Sequence, residues 1–140
     1  MKTVPLPAAN EISLFDAHAQ VDLVRRGEIA PNAPIESAIA RIETLDHHVN
    51  AVSHRAFEHA RTAAKSYDAS APRAGIPYLL KASMEYPRFP IAAGARVRKD
   101  AVGVNKYAFA QKLDAAGLVP CGMSTMPEFG LMGTGEDVDH

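Results

Sequence analysis

The stretch Gly75-Ile76-Pro77-Tyr78-Leu79-Leu80-Lys81 decides how this chain folds. It is a short apolar run that closes on a lysine and follows a small, polar, proline-bearing connector, Asp68-Ala69-Ser70-Ala71-Pro72-Arg73. It is too short for a helix and reads as a strand over 76–81, with Pro77 near its start, where a missing donor is tolerated. An apolar run ending in lysine is ordinarily an edge strand with a solubilising charge. A lysine pinned at the end of a buried strand has a second use. Burial disfavours its ammonium form, lowers its pKa and leaves a proton acceptor near neutral pH.

Upstream of this strand the apolar period is helical. Leu14, Ala17, Val21 and Val24 share a face, with Ser13 as N-cap and Gly27 as stop. Ile35, Ala38, Ile39, Ile42 and Leu45 form a wider stripe that opens at Pro34, a residue tolerated in a first turn. Phe57, Ala60, Ala64 and Tyr67 repeat the pattern after a short extended piece, Asn50-Ala51-Val52-Ser53. Downstream, residues 84–103 carry Pro87, Pro90, Gly94 and Gly103 and are predicted to be largely loop. Phe109, Leu113 and Ala116 mark another helix, closed by Gly117; residues 118–123 read as a second strand and 126–130 as a turn or short helix. Strand, loop, helix, strand is the start of an α/β unit with parallel strands. The fold class is therefore α/β (or an α+β fragment), with a helical region over 1–72 and the beginning of an α/β core over 73–140.

Composition narrows the function. With 140 residues and 47% hydrophobic content the chain can build one core. Fifteen Lys and Arg against sixteen Asp and Glu argue against electrostatic attraction to nucleic acid or to an anionic membrane. No apolar run approaches a membrane span, and the start Met1-Lys2-Thr3 leads into Val4-Pro5-Leu6-Pro7 rather than a signal core. Cys121 is the single cysteine, which rules out an internal disulfide and makes a reducing cytoplasm the simplest setting.

A set of short pieces occurs in a telling order: Leu23-Val24, Gly27-Glu28, Ala40-Arg41-Ile42-Glu43, Asn50-Ala51, Ala60-Arg61, Ala64, then Gly75-Ile76-Pro77 leading to Lys81. Ala115-Ala116-Gly117-Leu118-Val119, Gly122, Pro127-Glu128-Phe129-Gly130, Thr134 and Glu136 complete it. In this order and spacing the chain resembles the amidase signature family, the serine hydrolases with a Ser–cis-Ser–Lys triad. The resemblance implies N-terminal helices followed by the first strand–helix–strand units of an amidase-type mixed sheet core. It places Lys81 at the position of the catalytic lysine, which passes a proton to and from the nucleophilic serine through the cis-serine. It further implies cleavage of carbon–nitrogen amide bonds in a small-molecule substrate, with no cofactor and no metal. The Gly-Ile-Pro-Tyr-Leu-Leu-Lys segment is most similar to members acting on small linear or cyclic amides. The serine–glycine-rich stretch that supplies the cis-serine in the family, and the nucleophilic serine a little beyond it, do not occur in these residues. The expectation is the N-terminal portion of an amidase, inactive alone and dependent on a C-terminal complement. The alternatives are a non-catalytic binding or assembly module, one half of a split enzyme, or a truncated reading frame with no function. The expected protein partner is a C-terminal complement or a second copy in a homo-oligomer.

Departures from the family lie close to Lys81. Ala82 stands where an acidic residue usually follows the lysine, Ile91-Ala92-Ala93-Gly94-Ala95 replaces a Thr/Ser-Gly-Ser-like segment, and Met123 replaces the lysine of a Gly-Lys-Thr-Asn run. Losing those polar groups is expected to weaken the shell that orients the lysine. Ser83 and Ser124 lie outside any Gly-x-Ser-x-Gly elbow, and Ser124 is predicted to bond backbone at a strand end. Of the six histidines, His47 and His48 are adjacent and predicted to point apart, while His54 and His59 miss the spacing of a zinc pair. Arg96, Arg98 and Lys99, with Asp100 beside them, read as a solvated face.

Overall fold

Asp16, not Ser13, starts the first amphipathic helix. Its carboxylate accepts the Ala19 N–H at 2.9 Å, and helix α2 runs Ala17–Arg25. Ser13 instead donates to the Asn10 carbonyl at 2.7 Å, at the end of a short helix α1, Leu6–Ile12, that periodicity does not reveal. Leu14 therefore lies in a turn and is 85% exposed, so its place on the helical stripe is fortuitous. The computed structural model describes residues 6–133, so the family-like Thr134 and Glu136 lie outside the described residues.

Helix α3, Ala33–Val49, opens at Pro34 as expected and buries Ile35 and Ile39, whereas Leu45, beyond the core, is 43% exposed. Its exit is organised by Asp46. One carboxylate oxygen accepts the N–H groups of Ala51 and Val52 at 2.9 and 3.1 Å, and the other meets Arg55 at 3.1 Å. That turns the chain into strand β1, Val52–Arg55, and then into helix α4, Phe57–Ala63. Tyr67 lies past the end of α4, its hydroxyl donating to the Pro31 carbonyl at 3.2 Å.

Strand β2, Pro77–Lys81, and strand β3, Val119–Ser124, pair in parallel with Lys81 opposite Ser124. A parallel pair needs a crossover, and here it carries the proline-bearing loop and helix α5, Ala108–Ala115, which ends at Gly117 with φ 90. Helix α5 buries Ala110, whereas Phe109, expected on its inner face, is 50% exposed. The extended piece of the first half becomes an antiparallel third strand, giving the sheet order β1-β3-β2. The result is a mixed α/β fold with β3 at its centre. One apolar cluster, Ile35, Ile39, Ala60, Val119 and Cys121, lies under α3 and α4. A second, Ala56, Leu80, Tyr86, Phe89, Ala110 and Met123, lies under the crossover. Among the described residues no helix is long and apolar enough to cross a membrane.

The outer edges of β1 and β2 are unpaired among the described residues. Unpaired edges template association with other chains. Prepared as residues 1–140 alone, the protein is expected to self-associate on size exclusion and to bind a hydrophobic dye. A sharp monomer peak without dye binding would contradict this.

Candidate active site

Lys81 closes β2, with β3 on one side and, among the described residues, no strand on the other. The side chain is exposed, and its Nζ has no hydrogen bond or ion pair among the described residues. The burial expected for a proton-relay lysine is thus not supplied by residues 6–133, because β2 is an edge strand in this sheet. What these residues supply is position. The Lys81 carbonyl accepts the Met84 N–H at 2.8 Å, and the Ala82 N–H donates to the Ser124 carbonyl at 3.2 Å, so the chain turns sharply just past the lysine.

Two loops brace that turn. The Ala82 carbonyl accepts the Ala93 N–H at 3.2 Å, and the Ala93 carbonyl accepts the Phe129 N–H at 2.9 Å. Ala93, Gly94, Phe129 and Gly130 all have positive φ, at 54, 68, 50 and 71°. For the two non-glycines this is uncommon backbone, retained where surrounding contacts dictate it. Gly94 is required by close approach as well: a Cβ there would stand 2.5 Å from the Met126 carbonyl oxygen. A Cβ on Gly130 would stand 4.0 Å from Lys81 Nζ, which puts the 128–130 turn beside the lysine head.

Most of the departures from the family are buried. Ala82, Ala93 and Met126 form a small apolar cluster, Ala95 is fully buried, and Met123 packs with Leu80, Tyr86 and Phe89. Among the described residues no buried side-chain nitrogen or oxygen lacks a partner. Ala82, Ala93, Ala95 and Met123 are thus buried with no orphaned side-chain donor or acceptor among the described residues. Ser83 is exposed, and the Ser124 hydroxyl points back to the Leu80 carbonyl at 3.5 Å, the backbone role expected of it.

Two polar groups of note carry no signal in the sequence. Glu36, 2% exposed, accepts Arg61 Nε and Nη2 at 3.1 Å each. The hydrogen bonds that the Arg61 guanidinium donates to Glu36 and Glu58 push its pKa further up. Asp114 gathers the hydroxyls of Tyr86 (2.9 Å) and Tyr78 (3.3 Å) together with the Lys106 ammonium, tying α5 to the crossover loop. Burial and the Asp114 charge push the Tyr78 hydroxyl well above the usual tyrosine range. Cys121 is buried against the Tyr78 carbonyl at 3.3 Å, and burial pushes its thiol up to about 11. Among the described residues no group of three or more His, Cys, Asp and Glu is placed to hold a metal ion. His47 and His48 do not point apart; their rings lie 3.7 Å from each other.

Comparison with known proteins fits this geometry. Residues 33–138 match the family described as Amidase. The chain is 37% identical over 124 residues to the 6-aminohexanoate-cyclic-dimer hydrolase of Paenarthrobacter ureafaciens, covering 82% of this chain and 24% of that protein. It is also 37% identical over 130 residues to the 6-aminohexanoate-cyclic-dimer hydrolase of a Pseudomonas species, covering 86% and 25% respectively. The solved structure of 6-aminohexanoate cyclic dimer hydrolase complexed with substrate superposes with a TM-score of 0.83 at 33% identity, covering 89% of this chain and 26% of that one. A bacterial aryl acylamidase of the amidase signature family gives 0.81 at 28% identity, over 87% and 27%. The chain belongs to the amidase family. It spans about a quarter of the length of the curated relatives it matches.

Proposed function

We propose that this segment contributes Lys81 as the proton-relay lysine of an amidase that cleaves the carbon–nitrogen bond of a small linear or cyclic amide. The observation that carries the reading is the place of Lys81, at the end of a strand parallel to β3, held by loops that the family match spans. In that role its neutral amine takes the proton of the nucleophilic serine, through the cis-serine, as the serine attacks the amide carbonyl, and gives it to the departing nitrogen as the C–N bond breaks. It then takes a proton from the water that attacks the ester and returns it to the serine oxygen as the acid leaves. The serines come from sequence outside these residues. The 33% identity to a cyclic-amide hydrolase over 89% of this chain favours a compact amide substrate.

A second reading has its own support. Ala82, Ala95 and Met123 fill buried sites where the family carries polar groups, which favours a binding or assembly module that keeps the fold without the chemistry. On either reading residues 1–140 alone are expected to show no turnover of aryl or aliphatic amides, because lysine alone cannot form the acyl-enzyme. Turnover that survives Ser83→Ala and Ser124→Ala but vanishes in Lys81→Ala would require a different mechanism.

A further inference from the structure

Among the described residues four non-glycines have a left-handed backbone: Asn50, Arg88, Ala93 and Phe129, with φ 46, 67, 54 and 50°. Asn50 caps the end of α3, an ordinary use of that conformation. Ala93 and Phe129 differ because they meet. The Phe129 N–H donates to the Ala93 carbonyl at 2.9 Å, and each residue is followed by a left-handed glycine, Gly94 or Gly130. Neither alanine nor phenylalanine favours this backbone by itself. Such residues persist where the surroundings impose the conformation, and they cluster at functional sites.

Ala93 is bonded at both ends. Its N–H donates at 3.2 Å to the carbonyl of Ala82, the residue after Lys81. Its carbonyl holds Phe129, whose neighbour Gly130 stands beside the lysine head. Gly94 lets the loop press onto the 126–128 segment, where a Cβ would meet the Met126 carbonyl oxygen at 2.5 Å. The Ala93 methyl is buried with Ala82 and Met126. A run of backbone bonds therefore leads from the turn just past the lysine, through Ala93, to the turn at the lysine's head.

We propose that Ala93 is a positioning residue for Lys81, a backbone clasp that sets the end of β2 against the 128–130 turn and so fixes where the amine is presented. The inference rests on the reading of Lys81 as the relay lysine. Ala93 touches neither substrate nor reacting atoms and has no polar side chain to offer. Its contribution is conformation: positions 93 and 129 must both hold a left-handed backbone for the bond between them to form. Displacing a catalytic group by about 1 Å costs about 10²-fold in rate, so a clasp of this kind acts on the chemical step rather than on substrate binding.

The test measures kcat and KM for the chain reconstituted with the serine-bearing polypeptide. Glycine adopts the left-handed backbone freely, whereas a β-branched valine there is an outlier. Ala93→Gly is expected to keep kcat within a few-fold of the parent, and Ala93→Val to lower it about tenfold or more with KM little changed. Ala92→Val, one residue away where φ is not positive, should match the parent. Valine at 93 also adds buried volume, so the half-exposed Phe129 supplies a second pair. Phe129→Gly and Phe129→Val both lose the ring, and kcat is expected to be at least about tenfold higher in the glycine variant. Amide hydrogen exchange on residues 1–140 needs no turnover: the Ala93 and Phe129 N–H groups should exchange about tenfold faster or more in Phe129→Val than in Phe129→Gly. Equal kcat for the glycine and valine variants at both positions, a loss confined to KM, or equal exchange would overturn the positioning role while the relay reading stands. No turnover in the reconstituted parent would overturn the relay reading and the positioning role with it.

Discussion

Supplied with a polypeptide that carries the two family serines, in cis or in trans, the parent chain is expected to hydrolyse a small amide, and Lys81→Ala to lose ~10²–10⁴-fold of that rate. The loss is that of a general acid–base step and leaves binding of the amide largely intact. Lys81→Arg should fail nearly as badly, because guanidinium keeps its proton at any working pH. Lys99→Ala, a change of equal charge on the exposed loop, should stay within a few-fold of the parent. The readout is the initial rate at saturating complement. Equal rates for parent and Lys81→Arg would make the residue a fixed charge and end the proton-relay assignment. Failure of every variant, parent included, would favour the module that keeps only the fold.

The largest expected effect on stability is at Arg61, remote from that chemistry. Its guanidinium grips a carboxylate, Glu36, that is 2% exposed and hydrogen-bonded through both oxygens. Arg61→Ala strands that charge, and removal of one partner from a buried pair costs about 3–5 kcal/mol. The double change Glu36→Leu with Arg61→Leu removes both charges together and should recover most of the loss, since an apolar pair of similar volume is often neutral by comparison. Midpoints of urea unfolding, followed by far-UV circular dichroism, compare the three chains. Arg61→Ala lying within about 0.5 kcal/mol of the parent would show that the pair contributes little.

Much of the architecture is legible in the sequence because a few residues act locally. Pro34 opens α3, Gly117 closes α5, and the apolar runs before Lys81 and after Gly117 become the paired parallel strands. What escapes reading depends on partners distant in sequence. Helix α1 is a seven-residue piece, too short to show a stripe, and it is held by packing on α3, where Ser37 donates to the Ala9 carbonyl at 2.7 Å. Ser13 and Asp16 are both good caps, and the choice between them is made by the turn out of α1. Phe109 and Ala110 are neighbours on α5, and the crossover loop rather than the period decides that the alanine faces inward. Glu36 reads as an ordinary surface carboxylate until Arg61 is brought across from α4. The position of Lys81 came from the family resemblance, and the spacing of the residues before it made it the end of a strand. Its exposure is the ordinary edge-strand reading of that run, and the sequence does not choose between it and burial, because whether a strand is central or at an edge is a property of the whole sheet.

The order in which the strands are synthesised sets when this fold can form. The central strand, β3, is the last of the three in the chain, and β1 meets it across a separation as large as that between Ala51 and Thr125. Neither β1 nor β2 has a partner until β3 exists, so a ribosome must release residues past 124 before any sheet can close. Until then the nascent chain holds helices whose inner faces have no sheet to rest on. Long-range pairing of this kind is slow and leaves apolar surface exposed while it waits. The helices that come first in the sequence thus reach their final packing only after the last strand has arrived.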